Sequence, residues 1–177
     1  MKIFLFLIVA FLSDMSSPAW QKRTPVVDAS SVHFVIRNFG INTGGDIGAM
    51  KGSLYFDKDN LVKSYFDITA GVATIDTDNA KRDKHLLSAD YFDVANYPTM
   101  RMTGKPVLNK NGNYLFNGTL SIKNTSRPIS FPFTVKSLAT GSLFEATFTI
   151  NRLDYLVGKK SAVLSNDVKV TIKVLAQ

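Results

Sequence analysis

The sequence predicts an all-β protein: an antiparallel up-and-down barrel of about eight strands with short helical crossings. Three observations carry this reading. Apolar residues recur with period two, not with the helical period, along most of the 177 residues. Turn signals break the pattern at short intervals, as in "DKDN" (57–60), "NKNGN" (109–113), "KNTSR" (123–127) and "ATGS" (139–142). Connections this short favour antiparallel neighbours, and clean apolar/polar alternation gives each strand one wet face. Closure into a barrel also removes exposed sheet edges. A two-sheet sandwich is the competing architecture.

The elements follow in order. Residues 1–19 read as a signal peptide, with Lys2 as a positive start, "IFLFLIVAFL" as an apolar run too short to span a membrane, and Ser17 and Ala19 as small residues before a cleavage site. An uncleaved N-terminal anchor is the other reading of that segment. Residues 20–177 then form one domain, with no boundary, repeat or low-complexity stretch. In "SVHFVIRNF", Val32, Phe34 and Ile36 share one face, against His33, Val35 and Arg37. "NTGGDIGAMKG" carries Gly44, Gly45 and Gly48 and reads as a mobile hairpin. Leu54 and Phe56 share a face in "KGSLYFD", as do Phe66, Ile68, Ala70 and Val72 in "SYFDITAGVAT". "TMRMTGKPVL" supplies a further strand. "YLFNGTLSI" aligns Tyr114, Phe116, Leu120 and Ile122, and "PISFPFTVK" aligns Ile129, Phe131, Phe133 and Val135. "LFEATFTI" aligns Phe144, Ala146, Phe148 and Ile150, and "DVKVTIKVLA" aligns Val168, Val170, Ile172 and Val174.

Composition narrows the function. The chain has no cysteine, which excludes disulfides and a cysteine-linked lipid anchor. The formal charge is +7, but its lysines and arginines are scattered and form no nucleic-acid arm. They read as a solvated basic surface, with transient contact with an anionic membrane surface as the second reading.

The segment "KRDKHLLSADYFDVANYPTM" (81–100) breaks the strand period. "DNAKRDKHLL" predicts a short helix with Asp78 as N-cap, and Ser88 and Asp90 suit a further helical turn. Pro98 starts the next strand. His85 with Asp83, Asp90 and Asp93 offers metal-ligand types, but not the spacing of a zinc site. A His–Asp dyad is conceivable, but no cysteine and no serine in a nucleophile elbow accompany it. The structural reading has these groups capping turns, pairing with Arg82 or the backbone, or lining a mouth. No catalytic residue, metal or cofactor is expected.

The same segment resembles the signature of the YceI-like family, in which "RDxHL", "D[FY]FD" and "YP" follow one another. Arg82, Asp83, His85 and Leu86 match the first, Asp90, Tyr91, Phe92 and Asp93 the second, and Tyr97 and Pro98 the third. "FNGTLSIKNTSRPISFPF" is similar to the family's hairpin through Leu120, Ile122, Thr125, Pro128 and Ile129, and "RLDYLVG" with "LSNDVKVTIKVLA" to its closing helix and strand. The resemblance implies a lipocalin-like barrel, exported by bacteria to the periplasm or medium. It also implies a long-chain lipid or isoprenoid ligand in the barrel interior.

Many of the 13 phenylalanines fall on inward faces. The expected ligand-binding residues are Phe34, Ile36, Phe66, Ile68, Phe116, Phe131, Phe133 and Phe148, with Leu86 and Phe92 closing the cavity. Small residues on the same faces (Ala70, Gly118, Ala146) suit either an apolar tunnel or a solid interdigitated core. The function read from the sequence is a carrier or reservoir for a long apolar chain. A solid-core binding or stress protein, and an enzyme acting on a barrel-bound lipid, are the alternatives.

Overall fold

The structure is a computed structural model and describes residues 21–177. The proposed signal peptide lies outside the described residues. Ten strands form one sheet: β1 (Lys22–Arg23), β2 (Ser31–Asn38), β3 (Ile41–Ile47), β4 (Lys51–Tyr55), β5 (Tyr65–Gly71), β6 (Thr99–Leu108), β7 (Tyr114–Ile122), β8 (Thr125–Leu138), β9 (Gly141–Asn151) and β10 (Leu164–Ala176). A single α-helix, α1 (Ala80–Leu86), crosses between β5 and β6. The strand order is β1-β4-β5-β6-β7-β8-β9-β10-β2-β3, and every neighbouring pair is antiparallel.

Two features curl this sheet round. β3 and β4 are consecutive in the chain yet pair at opposite ends of the order, β3 with β2 and β4 with β5. The bend between them is pinned by Gly71 N–H donating to Gly48 O (3.0 Å), and by a reciprocal Asp46–Asp76 backbone pair at 2.8 and 3.0 Å. On the far side, β1 pairs with β4, and the residues after it bond to the end of β10: Thr24 N–H to Gln177 O (2.7 Å) and Val26 N–H to Leu175 O (2.8 Å). β8 is shared as well, its first part pairing with β7 and its last six residues, from Phe133, with β9. A barrel therefore forms in place of two separate sheets. Counting β3 and β4 as one bent strand leaves eight long strands.

β3 adds a strand that the apolar period does not show. The "NTGGD" stretch is the second strand of a hairpin, in register with β2, with Phe34 opposite Gly45 and Val35 opposite Gly44. Its glycines allow close packing. A Cβ on Gly45 would stand 2.5 Å from Thr77 Cγ2 and 2.7 Å from Phe34 Cζ. The helix cap corrects an expectation: Asn79, not Asp78, caps α1, its side chain accepting from Arg82 N–H at 3.0 Å. Residues 88–97 continue as turns, closed by Tyr91 and Asp93 N–H donating to Ser88 O at 3.0 and 2.9 Å.

The core is asymmetric along the barrel. Seven rings (Phe56, Phe66, Tyr114, Phe116, Phe131, Phe133 and Phe144) pack edge-to-face and stacked at one end. Phe116 is 1% exposed and lies parallel to Phe66, with centroids 6.2 Å apart. Its ring covers Gly104 and Gly118, which face each other across β6 and β7. A Cβ would come within 2.6 Å of Phe116 Cζ from Gly104 and within 2.5 Å from Gly118. Gly118→Ala should therefore push against both that ring and the Thr103 carbonyl. Overpacking of this kind costs about 1–3 kcal/mol. Urea unfolding of the variant should show a loss of that size, and an unchanged midpoint would remove Phe116 from this position.

Candidate ligand-binding cavity

On β5 and β7 aromatic side chains at one end give way to smaller ones at the other. On β5 the series is Phe66, Ile68, Ala70; on β7 it is Tyr114, Phe116, Gly118, Leu120, Ile122. The rings fill one end of the barrel. The aliphatic side chains fail to fill the other, and a cavity of about 450 Å³ remains. Its walls are Val32, Phe34 and Ile36 of β2, Ile68 and Ala70 of β5, Met100 and Met102 of β6, Leu120 and Ile122 of β7, Phe148 and Ile150 of β9, and Val168, Val170 and Ile172 of β10. Leu86, Tyr91 and Phe92 border it from the α1 crossing, and Val157, Ser161 and Val163 from the loop before β10.

Six of the ten residues assigned from sequence lie in this lining: Phe34, Ile36, Ile68, Leu86, Phe92 and Phe148. The other four do not. Phe66, Phe116, Phe131 and Phe133 are buried in the aromatic plug. Period two reports which face a side chain takes but not how far along the barrel axis it sits. Phe131 stacks on Phe148 with centroids 4.1 Å apart, so the top of the plug is the floor of the cavity. Met100, Met102, Tyr91 and Arg152 were missed. The two methionines sit at alternate positions of "TMRMTG", a period that could have found them.

The 77–93 segment is held by side-chain bonds. Asp83 Oδ1 accepts from Thr77 N–H (3.0 Å) and from the Thr77 hydroxyl. Arg82 Nε donates to Thr77 Oγ1 (2.8 Å), and its Nη2 donates to Thr77 O. His85 packs edge-on against Tyr91, with centroids 4.8 Å apart, and borders the cavity. His33 lies on the outer face with Asp46, Nδ1 to Oδ1 3.0 Å. Among the described residues no group of three or more histidine, aspartate or glutamate side chains is placed to hold a metal.

Arg152 is the one charged side chain deep in the lining, at 4% exposure. It starts a short 3-10 turn (Arg152–Tyr155) directly after β9. Its guanidinium fans out onto the backbone of the next loop, Nε to Ser165 O (2.9 Å), Nη1 to Val157 O (2.8 Å) and Nη2 to Lys159 O (2.8 Å). No carboxylate pairs with it among the described residues, and burial holds its pKa below the ordinary arginine value. Arg101 differs: it points outward and grips Asp67 with two bonds of 2.8 and 2.7 Å. Those bonds keep the Asp67 carboxyl below its usual range. No aspartate or glutamate lines the cavity among the described residues.

A curled antiparallel barrel, solid at one end and hollow and apolar at the other, is a lipocalin-like barrel by architecture. The chain belongs to the YceI-like family: the family model described as "YceI-like domain" matches residues 25–176. An UPF0312 protein of Photorhabdus laumondii is 35% identical over 78 residues, covering 44% of this chain and 41% of its own. Protein YceI of Escherichia coli O157:H7 is 32% identical over 101 residues, covering 56% and 52%. The matched region thus spans about half or less of these two relatives. Protein YceI of Salmonella agona is 24% identical across 97% of this chain and 93% of its own. Among solved structures, Burkholderia cenocepacia BcnA superposes with a TM-score of 0.80 at 21% identity, over 86% of this chain and 99% of that one. A polyisoprenoid binding domain from Saccharophagus degradans superposes at 0.70 with 14% identity, over 89% and 98%.

The two halves of the barrel should respond oppositely to volume changes. Phe116→Ala removes a ring from the packed plug and should cost about 3–5 kcal/mol in urea unfolding. Ala70→Phe adds a ring where space exists and should leave stability nearly unchanged. A large loss for Ala70→Phe, or none for Phe116→Ala, would reverse the assignment of solid and hollow ends. Arg152→Met should cost about 3 kcal/mol or more, because three carbonyls lose their donor at roughly 1–3 kcal/mol each. An Arg152→Met protein as stable as the parent would show that water replaces the guanidinium there.

Proposed function

We propose that the protein is an exported carrier or reservoir that holds a long apolar chain, isoprenoid-like or fatty-acyl, in the hollow half of its barrel. The observation that carries this reading is the cavity itself: about 450 Å³, walled by aliphatic and methionine side chains and floored by Phe148, which stacks on Phe131 of the plug. That volume falls within the range of small-molecule sites, roughly 300–1,000 Å³. Each CH2 buried contributes about 0.8 kcal/mol. A tail of about ten carbons thus offers roughly 8 kcal/mol before the costs of association, with no polar contact required. The polyisoprenoid-binding name of the Saccharophagus domain, which shares this fold, adds support for a chain-like ligand. Export is proposed from the apolar segment and small residues at 1–19. No arrangement of His85, Asp83 and Asp90 favours a catalytic reading, since Asp83 is committed to Thr77 and His85 to Tyr91.

Native mass spectrometry of the purified protein, with organic extraction of the same sample, tests this. The wild type should carry a near-stoichiometric lipid-like species, and Ala70→Phe should carry less than about half as much while remaining folded. A wild type free of any extractable chain, and unable to take up oleic acid or a long isoprenoid alcohol, would leave the cavity without this role.

A further inference from the structure

The β2–β3 hairpin closes through a two-residue turn, Phe39-Gly40, between the paired residues Asn38 and Ile41. Both turn residues have positive φ, 49° and 79°. Asn-Gly is the preferred sequence for such a turn, and a bulky aromatic residue at its first position is held in a left-handed conformation that L side chains resist. Phe39 is also 73% exposed, and Ile41 beside it is 70% exposed. The tip therefore places an apolar residue where backbone and solvent both disfavour it. Leu156 repeats the pattern, exposed at φ 56°.

The position of these residues gives the pattern a direction. Phe39 N–H donates to Val163 O at 2.9 Å, which ties the tip to the loop before β10. Val163 is itself exposed and lines the cavity, as do Asn38, Ser161 and Leu164. Phe39 and Ile41, bonded to or paired with the lining residues Val163 and Asn38, thus form an exposed apolar rim next to the cavity. The same segments carry basic residues: Arg37 two positions before Phe39 on β2, Lys159 and Lys160 in the loop that holds Val163, and Lys123, whose Nζ donates to Leu156 O at 3.1 Å. There is no aspartate or glutamate between residues 36 and 45 or between 155 and 166. Asp46, Asp154 and Asp167 stand just outside these stretches.

We propose that this rim docks on an anionic phospholipid bilayer, with Phe39, Ile41, Leu156 and Val163 entering the headgroup boundary and Lys159, Lys160 and Arg37 meeting the lipid phosphates. Aromatic and aliphatic side chains beside lysines suit that interface. The docked orientation turns the cavity's opening towards the lipid, so a chain can pass between bilayer and barrel without crossing water. This goes beyond ligand binding, and its test is read separately from lipid content.

The decisive variant is Phe39→Asn, which removes the apolar tip and installs a residue that favours the turn. Flotation of the purified protein with phosphatidylcholine–phosphatidylglycerol vesicles should carry the wild type up, less so with phosphatidylcholine alone, and less so in high salt. Phe39→Asn should bind at least about five-fold more weakly, melt at the same or a higher temperature, and keep the extracted lipid of the parent. The double variant Lys159→Glu, Lys160→Glu should lose the preference for phosphatidylglycerol. Equal vesicle binding by wild type and Phe39→Asn would overturn the proposal, as would a wild type that ignores anionic vesicles. A wild-type dimer that Phe39→Asn converts to monomer, with no vesicle binding by either, would place a second copy of the chain on the rim and overturn it equally.

Discussion

Stacked and edge-on rings at one end of the barrel are the packing constraint on which the other features depend. A closed sheet of eight long strands encloses more volume than aliphatic side chains alone fill. Here Phe56, Phe66, Tyr114, Phe116, Phe131, Phe133 and Phe144 occupy that volume at one end. The fit requires glycine at two facing positions, Gly104 and Gly118, because the Phe116 ring takes the space where their side chains would stand. With that end solid, the sheet's curvature is fixed and the opposite end can remain open without collapse. The cavity follows from a local exchange of Phe and Tyr for Ile, Ala, Met and Val along the same strands.

Polar groups hold the open end in place of packing. Thr77 joins Asp83 and Arg82 and anchors α1 across the opening. Arg152 gathers the carbonyls of Val157, Lys159 and Ser165 and folds the loop before β10 over the other side. These bonds give the ionisable side chains of Arg82, Asp83 and Arg152 scaffold roles. The residues that look most chemical in the sequence hold the segments that border the cavity.

Much of the fold was legible because period two is a direct readout of strand faces. Eight of the strands, their antiparallel pairing and most inward positions followed from it. β3 was hidden because Gly44 and Gly45 have no apolar side chains to alternate; they are needed for the close approach of Phe34 and Thr77. β1 is two residues long and has no period at all. The lining of the candidate cavity was only half legible. Phe34, Ile36, Ile68 and Phe148 share a face with Phe66, Phe116 and Phe133, and nothing local separates wall from plug. That separation depends on height along the axis, which is set by strand register. Leu86 and Phe92 were found through their place in the crossing. Arg152 escaped because a lone arginine after a strand ordinarily reads as solvated.

Contact between bound ligand and individual side chains tests the division of the barrel most directly. Isotope-edited NMR on protein loaded with an unlabelled long-chain ligand, with the Met and Ile methyl groups and the Phe rings labelled, reports which groups lie against the chain. The hollow half should answer: the methyl groups of Met100, Met102, Ile68 and Ile172 should show cross-peaks to ligand CH2 protons, and the rings of Phe116 and Phe133 should show none. Cross-peaks from Phe116 and Phe133 with silence from the methionine methyls would place the ligand in the end described here as solid, and would contradict the central claim.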